Sequence, residues 1–77
     1  MHKIILPELG EGVQKATVAC WHRKPGEKVK EGEDIVELVT DKASFNVPTD
    51  RSGIVKEILV QEGEEANIND TLAIIEC

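Results

Sequence analysis

Turn-forming residues interrupt this sequence at short intervals, and no segment between them shows a convincing helical pattern. They are Gly10-Glu11-Gly12, Pro25-Gly26, Gly32, Pro48, Gly53, Gly63 and Asn69-Asp70. Between them lie short apolar or alternating segments at residues 3–6, 16–22, 35–39, 44–47, 54–60 and 72–75. Val and Ile, which favour strands, are the commonest apolar residues, with eight of each. Strands at this spacing predict an all-β sandwich or barrel.

The sequence also repeats itself weakly at an offset of 37 residues, as in Lys24-Pro25-Gly26-Glu27 and Gln61-Glu62-Gly63-Glu64. The apolar pairs at this offset are Val18 with Val55, Trp21 with Ile58, Val29 with Ala66, Ile35 with Leu72 and Leu38 with Ile75. Leu6-Pro7 matches Val47-Pro48 at an offset of 41, which implies four extra residues in the first half. Since 77 residues suffice for one domain, we expect two similar halves of about four strands that cover each other's apolar faces.

The inward-facing positions of these segments predict the core. The expected core residues are Val18, Trp21, Val36, Leu38, Phe45, Val47, Val55, Ile58, Leu72 and Ile74. Trp21 is the largest apolar side chain and is expected to pack in the fold rather than to contact a ligand. Gly32, Gly53 and Gly63 are expected to permit turn geometry that side chains disfavour.

Charge and motif content narrow the classes of function. The formal net charge of −6 argues against a nucleic-acid partner, and the longest apolar run of four residues predicts no membrane span. The sequence contains no nucleophile elbow and no phosphate-binding loop. Cys20 and His22 can share one face of a strand, but two ligands do not make a zinc site. We therefore expect a non-catalytic protein.

The two cysteines and the N-terminus bear on the compartment. Cys20 and Cys77 permit one disulfide at most, and we interpret them as free thiols in a reducing compartment. The first residues lack the long apolar segment of a signal peptide.

One lysine stands out by its position. The segments at 35–39 and 44–47 flank Asp41-Lys42, so a tight turn centred there would pair them as a hairpin. Neither turn residue is Gly, which predicts a type I-like turn with the Lys42 amine in water. Lysines are common at exposed turns, but this one lies between the two similar halves, with Gly32 ten residues before it and Gly53 eleven residues after it.

Two motifs in this order resemble a known family. They are Leu6-Pro7-Glu8-Leu9-Gly10-Glu11-Gly12 and Thr40-Asp41-Lys42-Ala43-Ser44, supported by Trp21, Pro25-Gly26-Glu27-Lys28-Val29, Gly32 and Gly53. The sequence resembles, over essentially its whole length, a lipoyl domain from the dihydrolipoamide acyltransferase component of a 2-oxo acid dehydrogenase complex. The resemblance implies a flattened β-barrel or sandwich of two four-stranded antiparallel sheets with quasi-twofold symmetry. It also implies lipoic acid in amide linkage to Lys42.

The resemblance further implies a swinging-arm carrier that is not an enzyme. In such complexes a thiamine-diphosphate-dependent 2-oxo acid decarboxylase reductively acylates the lipoyl group. The acyl group then passes to coenzyme A at the acyltransferase core of the same chain, and dihydrolipoamide dehydrogenase reoxidises the arm. Lipoate ligase would attach the lipoyl group, and pyruvate is the expected 2-oxo acid. The expected compartment is the cytoplasm, or the mitochondrial matrix in a eukaryote.

Recognition is expected beside the hairpin tip. Asp41 and Ala43 flank the lysine, although an Asp also suits a turn without any partner. The extra loop of the first half, formed by Glu8, Leu9, Gly10, Glu11 and Gly12, breaks the symmetry and is expected to lie beside the tip. A plain surface insertion is the alternative for this loop.

Two other carrier-like identities stay open. A biotinyl carrier domain shares the fold and the hairpin lysine but usually flanks that lysine with methionines, and the only methionine here is Met1. An unmodified lipoyl-like adaptor module predicts no special lysine. The lipoyl resemblance itself implies that residues 1–77 form a single lipoyl domain, monomeric in isolation and excised from the N-terminus of a longer acyltransferase chain.

Overall fold

The computed structural model describes residues 1–77 and consists of eight β-strands joined by turns and loops. The strands are β1 (His2–Ile5), β2 (Lys15–Trp21), β3 (Lys28–Val29), β4 (Asp34–Val39), β5 (Ser44–Pro48), β6 (Gly53–Ile58), β7 (Glu65–Asn67) and β8 (Thr71–Glu76). The six segments predicted from the sequence are confirmed, with ends displaced by at most two residues. Strands β3 and β7 were missed because two or three residues are too few to display an alternating pattern. No helix long and apolar enough to span a bilayer is present.

The strands form two four-stranded antiparallel sheets, which confirms the predicted fold class. One sheet has the order β1-β8-β6-β3 and the other the order β5-β4-β2-β7. Each sheet therefore contains two strands from each half of the sequence. The halves interleave rather than pack as two units face to face, so the expectation of one half covering the other is wrong in detail.

The quasi-twofold symmetry extends to the irregularities of the sheets. Val18 pairs with Leu38, and at the offset of 37 residues Val55 pairs with Ile75. Directly after each of these pairs the register shifts by a β-bulge. The repeat in the sequence thus corresponds to a repeat in backbone geometry, including its kinks.

The outermost strands show where the halves differ in length. Ile4 on β1 pairs with Ala73 on β8, and Val47 on β5 pairs with Val36 on β4. Ile4 is therefore equivalent to Val47, at an offset of 43 residues rather than the predicted 41. The first half therefore carries six extra residues, not four, all between β1 and β2. The alignment of Leu6 with Val47 is wrong because Leu6 lies past the end of β1, where its amide donates to the carbonyl of Asp70 at 2.9 Å.

Aliphatic side chains fill the space between the sheets. The buried apolar residues are Ile4, Leu6, Ala16, Val18, Val29, Ile35, Val36, Leu38, Val47, Val55, Ala66, Leu72, Ala73 and Ile75. Of the remaining predicted core residues, Trp21, Phe45 and Ile58 are half-buried. Ile74 is also half-buried but does not pack against the core, and Ile75 is fully buried instead, so the prediction of Ile74 as a core residue is wrong. A bulge at Leu72 turns both Leu72 and Ala73 inward and so shifts the alternation of β8 by one residue.

Gly53 serves a different purpose from the one predicted. Gly32 and Gly63 occupy the left-handed region at φ 92° and 88°, as turn glycines do. Gly53 does not, but a Cβ at this position would lie 2.4 Å from the carbonyl oxygen of Glu76. The glycine is therefore required because β6 and β8 approach each other closely there.

Candidate functional site

The β4–β5 hairpin presents Lys42 at its apex, as predicted. Val39 pairs with Ser44 at the end of the ladder, and the Thr40 amide donates to the carbonyl of Ala43 at 2.9 Å. Asp41, Lys42 and Ala43 are all exposed. The hairpin thus holds one primary amine on a short, well-anchored projection.

Side-chain hydrogen bonds reinforce the apex, because the backbone bond from the Ala43 amide to the Thr40 carbonyl that usually closes a type I turn is absent. The Thr40 hydroxyl oxygen accepts hydrogen bonds from the amides of Lys42 and Ala43, both at 3.2 Å. The same hydroxyl donates to the carbonyl oxygen of Ala43 at 3.1 Å. Thr40 therefore takes the place of the backbone carbonyl that a type I turn would use. Its position directly before Asp41 was the only sequence signal for this role.

The extra loop of the first half lies beside the apex, as expected. Lys42 is exposed, as predicted, and its amine also donates to the carbonyl oxygen of Glu11 at 3.2 Å, a contact that the sequence did not predict. A Cβ at Gly12 would lie 3.5 Å from the same nitrogen. This contact joins the apex to a loop that the other half of the domain lacks.

The loop itself is fixed at two points. Leu9 is half-buried and packs against the core, and the Val13 amide donates to the carbonyl of Gly10 at 3.2 Å. Glu8, Gly10, Glu11 and Gly12 are exposed. The carboxylates of Glu8 and Asp41 form neither a hydrogen bond nor an ion pair within the chain, so both are available to a partner.

An open groove of about 530 Å³ runs from the apex toward β2 and β7. Its lining residues are Gly12, Val13, Gln14, Lys15, Ala16, Thr17, Val39, Thr40, Asp41, Lys42, Glu65 and Asn67. Most of these are polar, and an ion pair of 3.5 Å joins Lys15 to Glu65. Sites that sequester small molecules are mostly apolar and enclosed, so this groove is better suited to contact with a macromolecular surface.

These geometries define the chemistry available at the apex. An exposed primary amine on a rigid hairpin can be acylated by a carboxylic acid that an enzyme has activated. A group attached there would extend away from the core, because the apex lies at the end of the β4–β5 ladder. Cys20, His22 and Glu37 form a separate group with metal-binding side chains, on and beside β2 and β4.

Comparison with known proteins gives consistent matches. A family model described as "Biotin-requiring enzyme", the biotin and lipoyl family, matches residues 2–75. The succinyltransferase component of the 2-oxoglutarate dehydrogenase complex of Staphylococcus saprophyticus is 35% identical over 75 residues, which cover 97% of this chain and 18% of that protein. The acetyltransferase component of the pyruvate dehydrogenase complex of Acholeplasma laidlawii is 34% identical over 76 residues, which cover 99% of this chain and 14% of that protein.

A solved structure resembles the whole fold. The solution structure of the lipoyl domain of the 2-oxoglutarate dehydrogenase complex from Azotobacter vinelandii superposes with a TM-score of 0.77 at 36% identity. The match covers 96% of this chain and 94% of that domain. The chain thus spans less than a fifth of the length of the two curated relatives, but nearly all of a domain that was solved by itself.

Proposed function

This chain belongs to the biotin and lipoyl attachment family, and we propose that its Lys42 carries the lipoyl group. The chain is a lipoyl domain of a dihydrolipoamide acyltransferase, a small carrier that is not itself catalytic. The observation that carries the proposal is the position of the Lys42 amine at the apex of the β4–β5 hairpin, within Asp41-Lys42-Ala43. Amide formation there would change the formal net charge from −6 to −7, because an ammonium is lost.

The residues at the apex fit an attached lipoyl group. An amide nitrogen retains one N–H, so Lys42 can keep its hydrogen bond to the Glu11 carbonyl after modification. That bond would hold the base of the arm beside the extra loop. Beyond it, lysine and lipoyl together provide a reach on the order of 15 Å. When attached, the dithiolane supplies a disulfide that takes up an acyl group together with two electrons.

The proposed partners follow from this carrier role. They are a 2-oxo acid decarboxylase, dihydrolipoamide dehydrogenase, the acyltransferase core of the parent chain, and the lipoate ligase that modifies Lys42. The extra loop, Glu8–Gly12, and the unpaired carboxylate of Asp41 form the surface that we assign to recognition. Two of the three similar proteins described above come from 2-oxoglutarate complexes, which favours 2-oxoglutarate over pyruvate as the 2-oxo acid. The acetyltransferase relative keeps pyruvate as the second candidate.

The attachment site is tested by intact mass after incubation with lipoate ligase, lipoate and ATP. We expect one lipoyl-sized increase in the unmodified chain, no increase in Lys42→Arg, and a full increase in Lys28→Arg, a matched exposed lysine on β3. An increase that persists in Lys42→Arg would contradict the assignment of the site.

The biotinyl alternative is tested on the same material, because the matching family model includes biotin-dependent proteins. Asp41 and Ala43 stand where biotinyl domains usually have methionines, so we expect no modification by biotin ligase. Biotinylation without lipoylation would replace the lipoyl assignment. Resistance of the folded chain to both enzymes would favour the unmodified adaptor.

The identity of the 2-oxo acid is tested by reductive acylation of the lipoylated chain. Catalytic amounts of the 2-oxoglutarate or pyruvate decarboxylase are incubated with the chain and radiolabelled substrate. We expect faster succinylation than acetylation, with lipoylated Lys28→Arg behaving as the parent chain. Faster acetylation would return pyruvate to first place.

A further inference from the structure

A row of polar side chains crosses the outer face of the second sheet, apart from the hairpin apex. Cys20 on β2 pairs in register with Glu37 on β4, and Glu37 pairs in register with Asn46 on β5. His22 follows Cys20 by two residues, and its amide donates to the carbonyl of Ile35 at 2.8 Å. Residues two apart on an extended strand share a face, so four potential ligand side chains lie together.

The ligand atoms are already close. One ligand atom each from Cys20, His22 and Glu37 lies within 4.8 Å of the other two. The Cys20 thiol donates to Glu37 Oε1 at 3.6 Å, and His22 Nε2 is 3.0 Å from Asn46 Oδ1. Bonds of about 2.0–2.3 Å in tetrahedral geometry bring ligand atoms to about 3.3–3.8 Å from one another. Rotations of these side chains can therefore close the site while the sheet stays fixed.

The electrostatics of the row favour a cation. Glu37 is half-buried, takes part in none of the three ion pairs of the structure, and has a thiol as its only side-chain partner. A carboxylate without a cationic partner, placed beside a thiol and an imidazole, favours a divalent cation at this point.

We propose that Cys20, His22 and Glu37 form a binding site for a divalent transition metal of the zinc class. The metal would bind the Cys20 sulfur, one ring nitrogen of His22 and a carboxylate oxygen of Glu37, with water in the fourth position. Binding forms the metal–sulfur bond and releases the thiol proton to solvent, without oxidation or reduction. Sulfur and imidazole ligands select zinc-class metals over magnesium and calcium, which prefer oxygen ligands. Asn46 would orient the His22 ring from the outer shell.

This site is independent of lipoylation. Its residues differ from those of the apex, and Glu37 precedes Lys42 by five residues on the ascending strand of the hairpin. Dihydrolipoyl sulfurs also bind zinc-class metals, so the test uses Lys42→Arg, which carries no lipoyl group under the assignment above. Failure of the metal proposal in that background leaves the carrier proposal untouched.

The test is a titration of the reduced Lys42→Arg chain with Co²⁺, which reports a cysteine ligand through thiolate-to-cobalt charge-transfer absorption. We expect saturation at one Co²⁺ per chain, displacement by Zn²⁺, and loss of the absorption in Cys20→Ser. Cys77→Ser is the matched thiol control and should bind as the parent does. Glu37→Gln and His22→Ala should weaken binding by about 100-fold or more, and Asn46→Ala by about tenfold. Glu57→Gln on β6, the carboxylate control, should change nothing.

Three outcomes would overturn the proposal. They are no thiolate absorption in the intact chain, absorption that depends on Cys77 instead of Cys20, and affinity that is indifferent to both His22 and Glu37. Far-UV circular dichroism establishes that each variant is folded.

The folded parent chain gives a second measurement, since added Zn²⁺ should shift the ring proton resonances of His22 and leave those of His2 in place. Shifts of both histidines together, or of His2 alone, would also contradict the site.

Discussion

At the scale of single residues, Thr40 decides the geometry of the hairpin apex. Its hydroxyl makes all three side-chain hydrogen bonds that close the turn over Asp41 and Lys42. Threonine is common in strands as well as at their ends, so the sequence does not distinguish this use from an ordinary strand position. The identity of the modified lysine can be predicted from its motif, whereas the residue that orients it is found only in the structure.

Thr40→Val should loosen the apex while the sheets stay intact, because valine keeps the shape of threonine and removes the hydroxyl. We expect the free energy of unfolding to fall by about 1 kcal/mol. Amide hydrogen exchange at Lys42 and Ala43 should accelerate, and kcat/KM of the lipoate ligase should fall. Thr40→Ser, which retains the hydroxyl, is the matched control. Equal exchange rates in Thr40→Val and the parent chain would show that the backbone alone holds the apex.

At the scale of elements, one turn type occurs four times and uses four of the 15 acidic residues. In each copy the carboxylate of the fourth residue accepts the amide of the first, at 2.6–2.8 Å, and its own amide donates to the carbonyl of the first, at 3.0 Å. The four acids are Glu27, Glu33, Glu64 and Asp70. The third residue has positive φ and is glycine in three copies and Asn69 in the last. These acids serve turns and leave the acidic side chains near the apex for recognition.

Asn69 tests the backbone requirement of this turn at the one copy without glycine. Its φ is 77°, a region that costs most residues about 1–2 kcal/mol and asparagine less. Asn69→Ala should therefore lower stability by about 1 kcal/mol, which corresponds to about 4–8 °C in Tm for a domain of this size. Asn69→Gly should stay within about 0.5 kcal/mol of the parent. Thermal denaturation measures both, and equal Tm values for the Ala and Gly variants would contradict this explanation.

The extra loop of the first half is the element whose removal separates recognition from folding. Replacing the connection after Ile5 by Thr49–Ser52, the connection that joins β5 to β6, removes the contact between Glu11 and Lys42. We expect reductive acylation of the lipoylated variant to slow by about tenfold, or about 1.4 kcal/mol. Because this replacement also removes the buried Leu6, the double variant Glu8→Gln/Glu11→Gln tests the loop with its packing intact. Unchanged acylation in both variants would make the loop a plain surface insertion.

At the scale of the whole molecule, the sequence predicts the features that local pattern determines and misses those that contacts between distant segments determine. The repeat at an offset of 37 residues predicts two equivalent sets of strands, because apolar positions such as Val18 and Val55 recur in both. The bulge at Leu72, which places Ile75 instead of Ile74 in the core, arises from the pairing of β8 with β1. Such displacements depend on contacts between distant segments, as does the close approach at Gly53. Local pattern therefore predicts the strands and the apex lysine, and only tertiary structure reveals the interleaving of the halves.

Interleaving predicts that neither half folds alone. Strands β1 and β3 pair only with strands of the second half, so a fragment of residues 1–40 keeps only the β2–β4 ladder, and an isolated two-stranded ladder is marginal in water. Trp21, the only tryptophan, reports assembly because its indole N–H donates to the Val60 carbonyl of the other half at 2.9 Å. Fluorescence of fragment 1–40 should be that of a solvated indole.

Adding fragment 41–77 to fragment 1–40 should shift that emission to the wavelength of the intact chain, because the mixture restores both sheets and buries Trp21 against Val60. The shift should saturate at equimolar ratio and strengthen with concentration, since the two halves now associate as separate molecules. A 41–77 fragment that carries Val55→Asp, with a charge at a buried position, should fail to produce it. Native-like emission from fragment 1–40 alone would mean that the first half folds as an independent unit, contrary to the strand order of both sheets.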